Sequence, residues 1–347
     1  MKAAYFVEKG KIEARELPRP ELKNDTDAIV RVVRACVCGS DLWWYRGLSN
    51  MKPGQVGHEA IGVVDEIGSA VKNIQIGDFV IIPFTHGCGH CPVCLAGFEA
   101  NCINVESGYT SGYQAEFLRA INADGSLVKI PGEPSDYTPE ELASLTTLAD
   151  VMPTGYHAAV SAGVKPGDTA VVFGDGAVGL CGVIAAKLLG ASRIIAMSRH
   201  EDRAALARVF GATDIIAERG DEAVQKVLEL TDGIGADAVL ECVGTAQSVE
   251  TAFMVARAGA NVGRVGLPHD VDYNKYMDQL FRKNIGITGG IASVAKYDRE
   301  RLLKAVLDGS IEPGKVFTKT FDLDHIKDAY DAMDNRQVIK SLLKISD

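Results

Sequence analysis

Four cysteines lie within fifteen residues of the chain, in the order Cys88-x2-Cys91-x2-Cys94-x7-Cys102. Thiolates at this spacing can complete a tetrahedral zinc site, and four thiolates leave no open position for a substrate. Such a site fixes a loop that has no core of its own. A redox cluster or two local disulfides is the alternative. Clustered cysteines in a reducing compartment are more often metal ligands, so the spacing favours a structural zinc.

A second stretch suited to chemistry is VVFGDGAVG, in which glycines follow an apolar strand in the order G-x-G-x-x-G and precede an apolar helix. This context is typical of a dinucleotide-binding turn, in which the first glycine allows the tight turn and the second lets the backbone approach a pyrophosphate. The helix N-terminus offers free N–H groups to the phosphates. The alternative is a glycine-rich turn in some other parallel sheet. The predicted cofactor contacts are Gly174, Gly176, Ala177, Val178 and Gly179.

The end of the next strand bears on which dinucleotide binds, because an acid about 20 residues past the turn holds the ribose 2′-hydroxyl of NAD. This chain has Ser198 and Arg199 there, with Arg203 one helical turn further. No carboxylate stands at this position to repel a 2′-phosphate, and Arg199 can donate charge-assisted hydrogen bonds to one. The pattern predicts that NADP(H) is preferred over NAD(H). In the alternative, both arginines are solvated residues at a helix start.

These residues need a scaffold, and the second half of the chain alternates strands with helices. Strands are predicted at 171–173, 193–198, 213–216, 236–241, 261–265 and 284–289, with helices between them, including 201–210, 221–230 and 249–258. Six such strands form a doubly wound parallel sheet. The nicotinamide half of a cofactor is expected at the later strand ends, at Gly266, Leu267, Gly289 and Gly290.

The first 150 residues have a different pattern, with alternating apolar and polar positions near the N-terminus and a helix over 138–149. Glycines between the later strand-like pairs indicate a bent, barrel-like antiparallel sheet. Two helices, at 299–307 and 326–333, and a strand at 341–345 lie beyond the alternating region. We therefore predict a discontinuous domain of residues 1–150 and 291–347, and a dinucleotide-binding domain of residues 151–290.

Composition limits the classes of function. The chain has 347 residues, a net charge of −10 and 47% hydrophobic residues, which is ordinary for a two-domain globular protein. The negative charge argues against nucleic acid or an anionic membrane as a main partner. The chain lacks an apolar stretch of membrane-spanning length, and the first residues do not form a signal peptide. We expect a cytoplasmic protein that acts on a small molecule.

Several motifs together resemble the zinc-dependent medium-chain alcohol dehydrogenases over essentially the whole chain. These are Cys38-Gly39-Ser40-Asp41, Gly57-His58-Glu59 with Gly62, Gly68 and Val71, the four-cysteine lobe, Asp150 five residues before Gly155, and the glycine turn. The resemblance implies an α/β fold with a GroES-like, β-rich catalytic domain and a Rossmann domain. It also implies a second zinc, so that each chain would hold two. Relatives are dimers or tetramers, so a homo-oligomer is expected.

By position in the family, the ligands of this catalytic zinc would be Cys38, His58 and Asp150, with Glu59 close by as a possible exchanging ligand. One thiolate, one imidazole and one carboxylate suit zinc and leave a fourth position open. The metal would act there as a Lewis acid on the oxygen of an alcohol or carbonyl substrate. Taken singly, the cysteine could be a buried small residue, the histidine a structural one and Asp150 a surface residue at a helix end.

The resemblance assigns roles to further residues. Asp41 would orient His58, and Ser40 would relay the substrate proton. Where the family often has a histidine at the outer end of this relay, the chain has Trp43, whose indole cannot shuttle a proton. Three aromatic residues, Trp43, Trp44 and Phe84, fall near positions that line the substrate cleft, with core packing as the alternative, and Lys340 matches a basic residue that reaches the pyrophosphate.

The predicted activity is zinc-dependent hydride transfer between NADP(H) and an alcohol, ketone or aldehyde. One alternative keeps the fold and uses NAD with a polyol or hydroxy-amino acid, which a carboxylate ligand at Asp150 also permits. Another alternative is a non-enzymatic NADP-binding protein. That protein would need neither the zinc ligands nor Ser40.

Overall fold

The computed structural model describes residues 1–105 and 111–347 and divides the chain into two compact units. Unit 1 contains residues 1–150 and 293–347, and unit 2 contains residues 151–292. The first boundary falls where the helix of residues 151–161 begins, and the second falls in the loop after the last parallel strand.

The helices and strands are numbered along the chain. The first part of unit 1 contains β1 (Lys2–Glu8), β2 (Lys11–Glu16), β3 (Ala28–Cys36), α1 (Asp41–Tyr45), β4 (Gly54–Gln55), β5 (Ala60–Ile67), β6 (Phe79–Ile82), α2 (Pro92–Leu95), β7 (Phe117–Ala120), α3 (Ala123–Ser126), β8 (Val128–Lys129) and α4 (Pro139–Thr147). Unit 2 contains α5 (Val151–Ser161), β9 (Thr169–Phe173), α6 (Ala177–Leu188), β10 (Arg193–Met197), α7 (Glu201–Phe210), β11 (Asp214–Ile216), α8 (Gly220–Leu230), β12 (Ala236–Glu241), α9 (Ala246–Val255), β13 (Ala256–Arg264), α10 (Met277–Lys283) and β14 (Gly286–Gly289). The chain then completes unit 1 with α11 (Lys296–Leu307), β15 (Phe317–Phe321), α12 (Ile326–Asp334) and β16 (Lys340–Lys344).

The main sheet of unit 1 is built around β3, which is buried along almost its whole length. Its antiparallel partners are β5 on one edge, and β7 and β16 on the other. Gly62 in β5 allows β3 and β5 to approach closely, because a Cβ there would lie 2.3 Å from the Arg31 carbonyl oxygen. The predicted antiparallel, glycine-cornered sheet is confirmed, and β16 adds the last part of the chain to it.

Unit 2 contains a six-stranded parallel sheet in the order β11-β10-β9-β12-β13-β14. The central strands β9, β10 and β12 consist mostly of buried residues, as expected for a sheet covered by helices on both faces. The strand order reverses between β9 and β12, and ligands of doubly wound sheets bind at the carboxyl ends of the strands near such a point. The predicted fold class is confirmed.

The predicted boundary between α9 and β13 in unit 2 is wrong. The periodicity predicts a helix to residue 258, whereas α9 ends at Val255 and β13 begins at Ala256. Ala256 pairs with Ala236 across the sheet, and the pairing then shifts its register before Asn261. Sheet pairing therefore overrides the helical preference of the alanines.

Within the described residues, none of the helices combines the length and the apolar character that a bilayer crossing requires.

Candidate metal centres and cofactor site

The four cysteines of the lobe converge. Their four Sγ atoms all lie within 4.8 Å of one another, and three of the four side chains are buried. The first turn of α2 begins at Cys91, whose side chain accepts a hydrogen bond from the backbone N–H of Cys94. Gly87 is required beside the cluster, because a Cβ there would lie 2.9 Å from Cys94 Sγ. The predicted ligands Cys88, Cys91, Cys94 and Cys102 are thus brought together.

Backbone donors surround these sulfurs as they would surround thiolates. The N–H groups of Cys91 and Cys94 donate to the Sγ atoms of Cys88 and Cys91, at 3.3 and 3.4 Å. Asn104 donates to Cys88 Sγ through its side chain and to Cys102 Sγ through its backbone. The bond from the Cys94 backbone N–H is the main reason that the pKa of Cys91 falls to about 6. Four sulfurs in this setting fit zinc and leave no open position.

A second cluster forms in unit 1 from segments far apart in sequence. Cys38 follows the end of β3, His58 and Glu59 directly precede β5, and Asp150 follows α4. One donor atom of each of these four residues lies within 4.8 Å of the others. His58 Nε2 lies 3.5 Å from Asp150 Oδ2, and Cys38 Sγ lies 3.7 Å from the same oxygen. The four predicted residues of the catalytic zinc are therefore neighbours.

The charges in this second cluster favour a bound cation. Burial raises the pKa of the Cys38 thiol; His58 lowers it, while the nearby carboxylates of Glu59 and Asp150 raise it further. Anionic donors gathered in a buried site are unfavourable unless a positive charge neutralises them. A divalent metal does so and deprotonates a coordinating thiol. Thiolate, imidazole and carboxylate are ligands that zinc accepts, so the donor set fits zinc. Cys38 keeps 9% of its surface exposed.

Asp41 lies behind the histidine. Its Oδ1 atom is 3.6 Å from His58 Nδ1, so the opposite ring nitrogen, Nε2, faces the cluster. Asp41 Oδ2 accepts hydrogen bonds from the Cys38 backbone N–H and from the side chains of Gln114 and Tyr330. The single hydroxyl hydrogen of Tyr330 is shared with Gln114 Oε1, which lies closer, at 3.0 Å. Asp41 belongs to a recognisable motif, whereas Gln114 and Tyr330 could not be found from the sequence, because neither belongs to a local motif.

Lys340 lies at the second cluster, beside Glu59, and has 1% of its surface exposed. Its ammonium donates to Glu59 Oε1 at 2.7 Å and to the Val37 carbonyl oxygen at 3.0 Å. Burial alone would lower the pKa of Lys340, but Cys36, Glu59 and other nearby anionic groups raise it well above its ordinary value. The contact of Lys340 with a pyrophosphate stays a prediction, and the bond to Glu59 is an additional role that the sequence did not indicate.

The other residues predicted near the substrate separate into two groups. Ser40 is exposed before α1, and its hydroxyl makes no hydrogen bond to any described residue. Phe84 is half-buried, with its ring centroid 6.1 Å from that of His58. Trp43 is half-buried as well. Trp44 packs against the rings of Phe6 and Tyr330, at 4.7 and 5.5 Å, which is the core packing named above as its alternative.

The glycine turn of unit 2 has the geometry its motif requires. Gly174 has a φ of +111°, which favours glycine, and a Cβ on Gly179 would lie 1.9 Å from the Gly174 carbonyl oxygen. Gly176 is the N-cap of α6, and no atom within 4 Å would meet a Cβ there. This open side lets a pyrophosphate approach the backbone, and Ala177 and Val178 form the first turn of the helix.

The end of β10 differs from expectation, because a carboxylate does lie there. Asp175, inside the glycine turn, accepts a hydrogen bond from Ser198 Oγ at 2.9 Å. Its other carboxylate oxygen lies 3.3 Å from Arg203 Nη1. Arg199 is exposed and has no ion pair with a described residue. The expectation of a site without a carboxylate is wrong, since the acid comes from the turn rather than from the strand.

A buried acid, Glu241, orders the loop after β12, and this loop packs against the loop after β13. Glu241 Oε1 accepts hydrogen bonds from the Val243 and Gly244 N–H groups and from Ser248. A Cβ on Gly266 would lie 2.2 Å from the Gly244 nitrogen, so only glycine fits. The other predicted nicotinamide-side residues are Leu267, which is 54% exposed, and Gly289 and Gly290, whose φ values are +96° and +126°.

Comparison with known proteins identifies the family of the chain that carries these two centres. Residues 24–132 match the model of the alcohol dehydrogenase GroES-like domain, and residues 177–308 match that of the zinc-binding dehydrogenases. Zinc-type alcohol dehydrogenase B of Aspergillus flavus is 33% identical over 356 residues, covering 99% of this chain and 81% of that protein. The chain belongs to the zinc-dependent medium-chain alcohol dehydrogenase family.

Other members of this alcohol dehydrogenase family support the assignment. An uncharacterized zinc-type alcohol dehydrogenase-like protein, AdhB, of Bacillus subtilis is 32% identical over 384 residues, covering 99% of this chain and all of that protein. The apo structure of zinc-dependent alcohol dehydrogenase 2 from Streptococcus pneumoniae superposes with a TM-score of 0.89 at 30% identity, covering 100% of this chain and 99% of that one. Family membership implies an oxidoreductase that uses zinc and a nicotinamide cofactor.

Proposed function

We propose that this alcohol dehydrogenase transfers hydride between NADP(H) and a small alcohol, ketone or aldehyde at a zinc held by Cys38, His58 and Asp150. The observation that carries the proposal is the convergence of these three side chains from separate segments, with a carboxylate behind the histidine. A protein that only binds a dinucleotide has no need of this arrangement. When bound, the zinc supplies a Lewis acid for the substrate oxygen.

The chain's own residues would have separable roles around that metal. Asp41 fixes the orientation of the His58 ring and favours its binding through Nε2. Ser40, exposed beside the cluster in sequence, would take the hydroxyl proton of an alcohol substrate and pass it to solvent or cofactor. Half-buried Trp43 and Phe84 would contact the apolar part of the substrate.

The preference for NADP(H) rests on charge at the end of β10. Arg203 lies 3.3 Å from the Asp175 carboxylate and offsets its charge. Exposed Arg199 is then available for a 2′-phosphate, to which a guanidinium can donate two hydrogen bonds.

We propose that the protein works as a homo-oligomer in the cytoplasm.

The experiment that tests this function follows the oxidation of NADPH and NADH with a panel of aldehydes, ketones and sugars, and the reverse reaction with alcohols and polyols. We expect zinc-dependent turnover with simple carbonyl compounds and a higher kcat/KM for NADPH. Preference for NADH with a polyol would instead support the NAD-dependent alternative. Tight NADPH binding by fully zinc-loaded protein, with no turnover on any substrate, would contradict an enzymatic role.

A further inference from the structure

Asp175 occupies an unusual place in unit 2. It lies between the first two glycines of the glycine turn, and its carboxylate reaches the strand end where the acid of an NAD-binding site ordinarily stands. Ser198, the residue at that strand end, is 1% exposed and donates its hydroxyl hydrogen to Asp175 Oδ2. The position that selects the cofactor therefore carries a carboxylate after all, delivered from a different segment.

One guanidinium group contacts this carboxylate, and two more belong to neighbouring segments. Arg203 Nη1 is 3.3 Å from Asp175 Oδ1. Arg199 follows Ser198 directly, and Arg219 lies in the loop after β11, the strand that pairs with β10. The Ser198 backbone N–H donates to the Ile216 carbonyl oxygen at 3.0 Å, and Arg219 follows Ile216 by three residues, so the loop that carries Arg219 begins beside Ser198. Partial burial lowers the pKa of Arg219, whereas the nearby Asp175 raises it. Arg219 is itself exposed, so it can meet a ligand.

We propose that Asp175 and Arg219 act in opposition as cofactor-selecting residues: Asp175 accepts a ribose hydroxyl and weakens binding of a 2′-phosphate, whereas Arg219 strengthens binding of that phosphate. The inference rests on the proposed dinucleotide site. Physically, a 2′-phosphate carries close to two negative charges, so a fixed carboxylate beside it disfavours it and a guanidinium favours it. A free 2′-hydroxyl gains an acceptor from Asp175 and gains little from Arg219. The site therefore binds both cofactors, and these two residues shift the ratio in opposite directions.

The test measures binding rather than turnover. The dissociation constants of NADPH and NADH are determined by calorimetry for the zinc-loaded wild-type protein and for the variants Asp175→Asn and Arg219→Gln. Asparagine keeps the shape of aspartate and removes its charge. We expect Asp175→Asn to tighten NADPH binding and weaken NADH binding, which moves the ratio of the two constants about tenfold towards NADPH. Arg219→Gln is expected to weaken NADPH about tenfold and to leave NADH unchanged.

The matched control is Asp202→Asn, which removes one negative charge from the exposed first turn of α7, close to Arg203 in sequence. Its carboxylate makes no hydrogen bond to Ser198 or Arg203 among the described residues. We expect no change in the ratio. An equal shift of the ratio in this control would overturn the proposal. So would an Asp175→Asn variant that changes the dissociation constants of NADPH and NADH by the same factor, or that changes neither. Asp175→Ala replaces Asp175→Asn, with the same expected direction, if that variant does not fold.

Failure of the proposed NADP(H) preference would look different. It would show in the wild-type protein, as a lower dissociation constant for NADH than for NADPH. The direction in which Asp175→Asn moves the ratio remains a separate result, because it compares the variant with the wild type. The two proposals can therefore fail independently.

Discussion

The ammonium of Lys340 lies 2.7 Å from Glu59 Oε1, and both side chains are almost completely buried. This ion pair joins β16, near the end of the chain, to the segment that carries two of the candidate zinc-binding residues, His58 and Glu59. A buried charge that loses its partner destabilises a fold far more than an exposed one does. The position of Glu59 beside the metal therefore depends on a lysine 281 residues further along the chain.

Lys340→Met should accordingly destabilise the protein by about 3–5 kcal/mol, because it removes the buried ammonium that donates to Glu59 Oε1. The measurement is the midpoint of thermal unfolding, which should fall by several degrees. The control is Lys344→Met, in the same strand, whose exposed ion pair with Asp347 should contribute nothing measurable. Adding Glu59→Gln to Lys340→Met should recover part of the loss. A midpoint unaffected by Lys340→Met would show that the pair does not stabilise the fold.

The cysteine lobe gives a prediction about metal content. Cys91→Ser should reduce the zinc content from about two ions per chain to about one, because the closed site needs all four thiolates. The lobe should then become susceptible to proteolysis, since its apolar cluster, among the described residues, consists of the cysteines and the side chains packed on them. Cys242→Ala, outside both clusters, should keep both ions. Two ions retained in Cys91→Ser would argue against a structural zinc in the lobe.

Ser40 should matter for proton transfer and not for binding. Ser40→Ala is expected to slow alcohol oxidation by about 10²–10⁴-fold if the hydroxyl carries the proton, with NADPH affinity unchanged. Ser40→Thr keeps a hydroxyl at the same position and should retain much of the rate. The comparison uses kcat for oxidation over a range of pH. Wild-type oxidation rates in Ser40→Ala would remove Ser40 from the mechanism.

Arg199 should act on one cofactor only. Loss of a charge-assisted hydrogen bond costs roughly 1.5–3 kcal/mol, so Arg199→Ala should raise the KM for NADPH about 10- to 100-fold and barely change that for NADH. The control is Arg208→Ala, which changes an exposed arginine in the last turn of α7, the helix that follows Arg199, and it should affect neither cofactor. Equal weakening of both cofactors by Arg199→Ala would contradict a phosphate-binding role.

The sequence could predict what depends on local spacing. The cysteine lobe and the glycine turn are each contained in one short segment, so their ligand sets follow from residue order, and the alternation of strands with helices identified the parallel sheet. Contacts between distant segments were not accessible in this way. The bonds from Gln114 and Tyr330 to Asp41 join residues 73 and 289 positions apart. Asp175 was visible inside the motif, but only the structure reveals that its side chain turns towards Ser198.

The central claim, that turnover depends on a zinc held at Cys38, His58 and Asp150, is tested most directly by following zinc content and NADP(H)-linked turnover together during chelation. We predict that turnover disappears with the first zinc lost, from the more open site, while the second zinc and the circular dichroism spectrum remain, and that one equivalent of zinc restores activity. Asp150→Ala should retain one zinc and NADPH binding but lose turnover by orders of magnitude. Turnover that persists after the first zinc has left, or full activity in Asp150→Ala, would contradict the account.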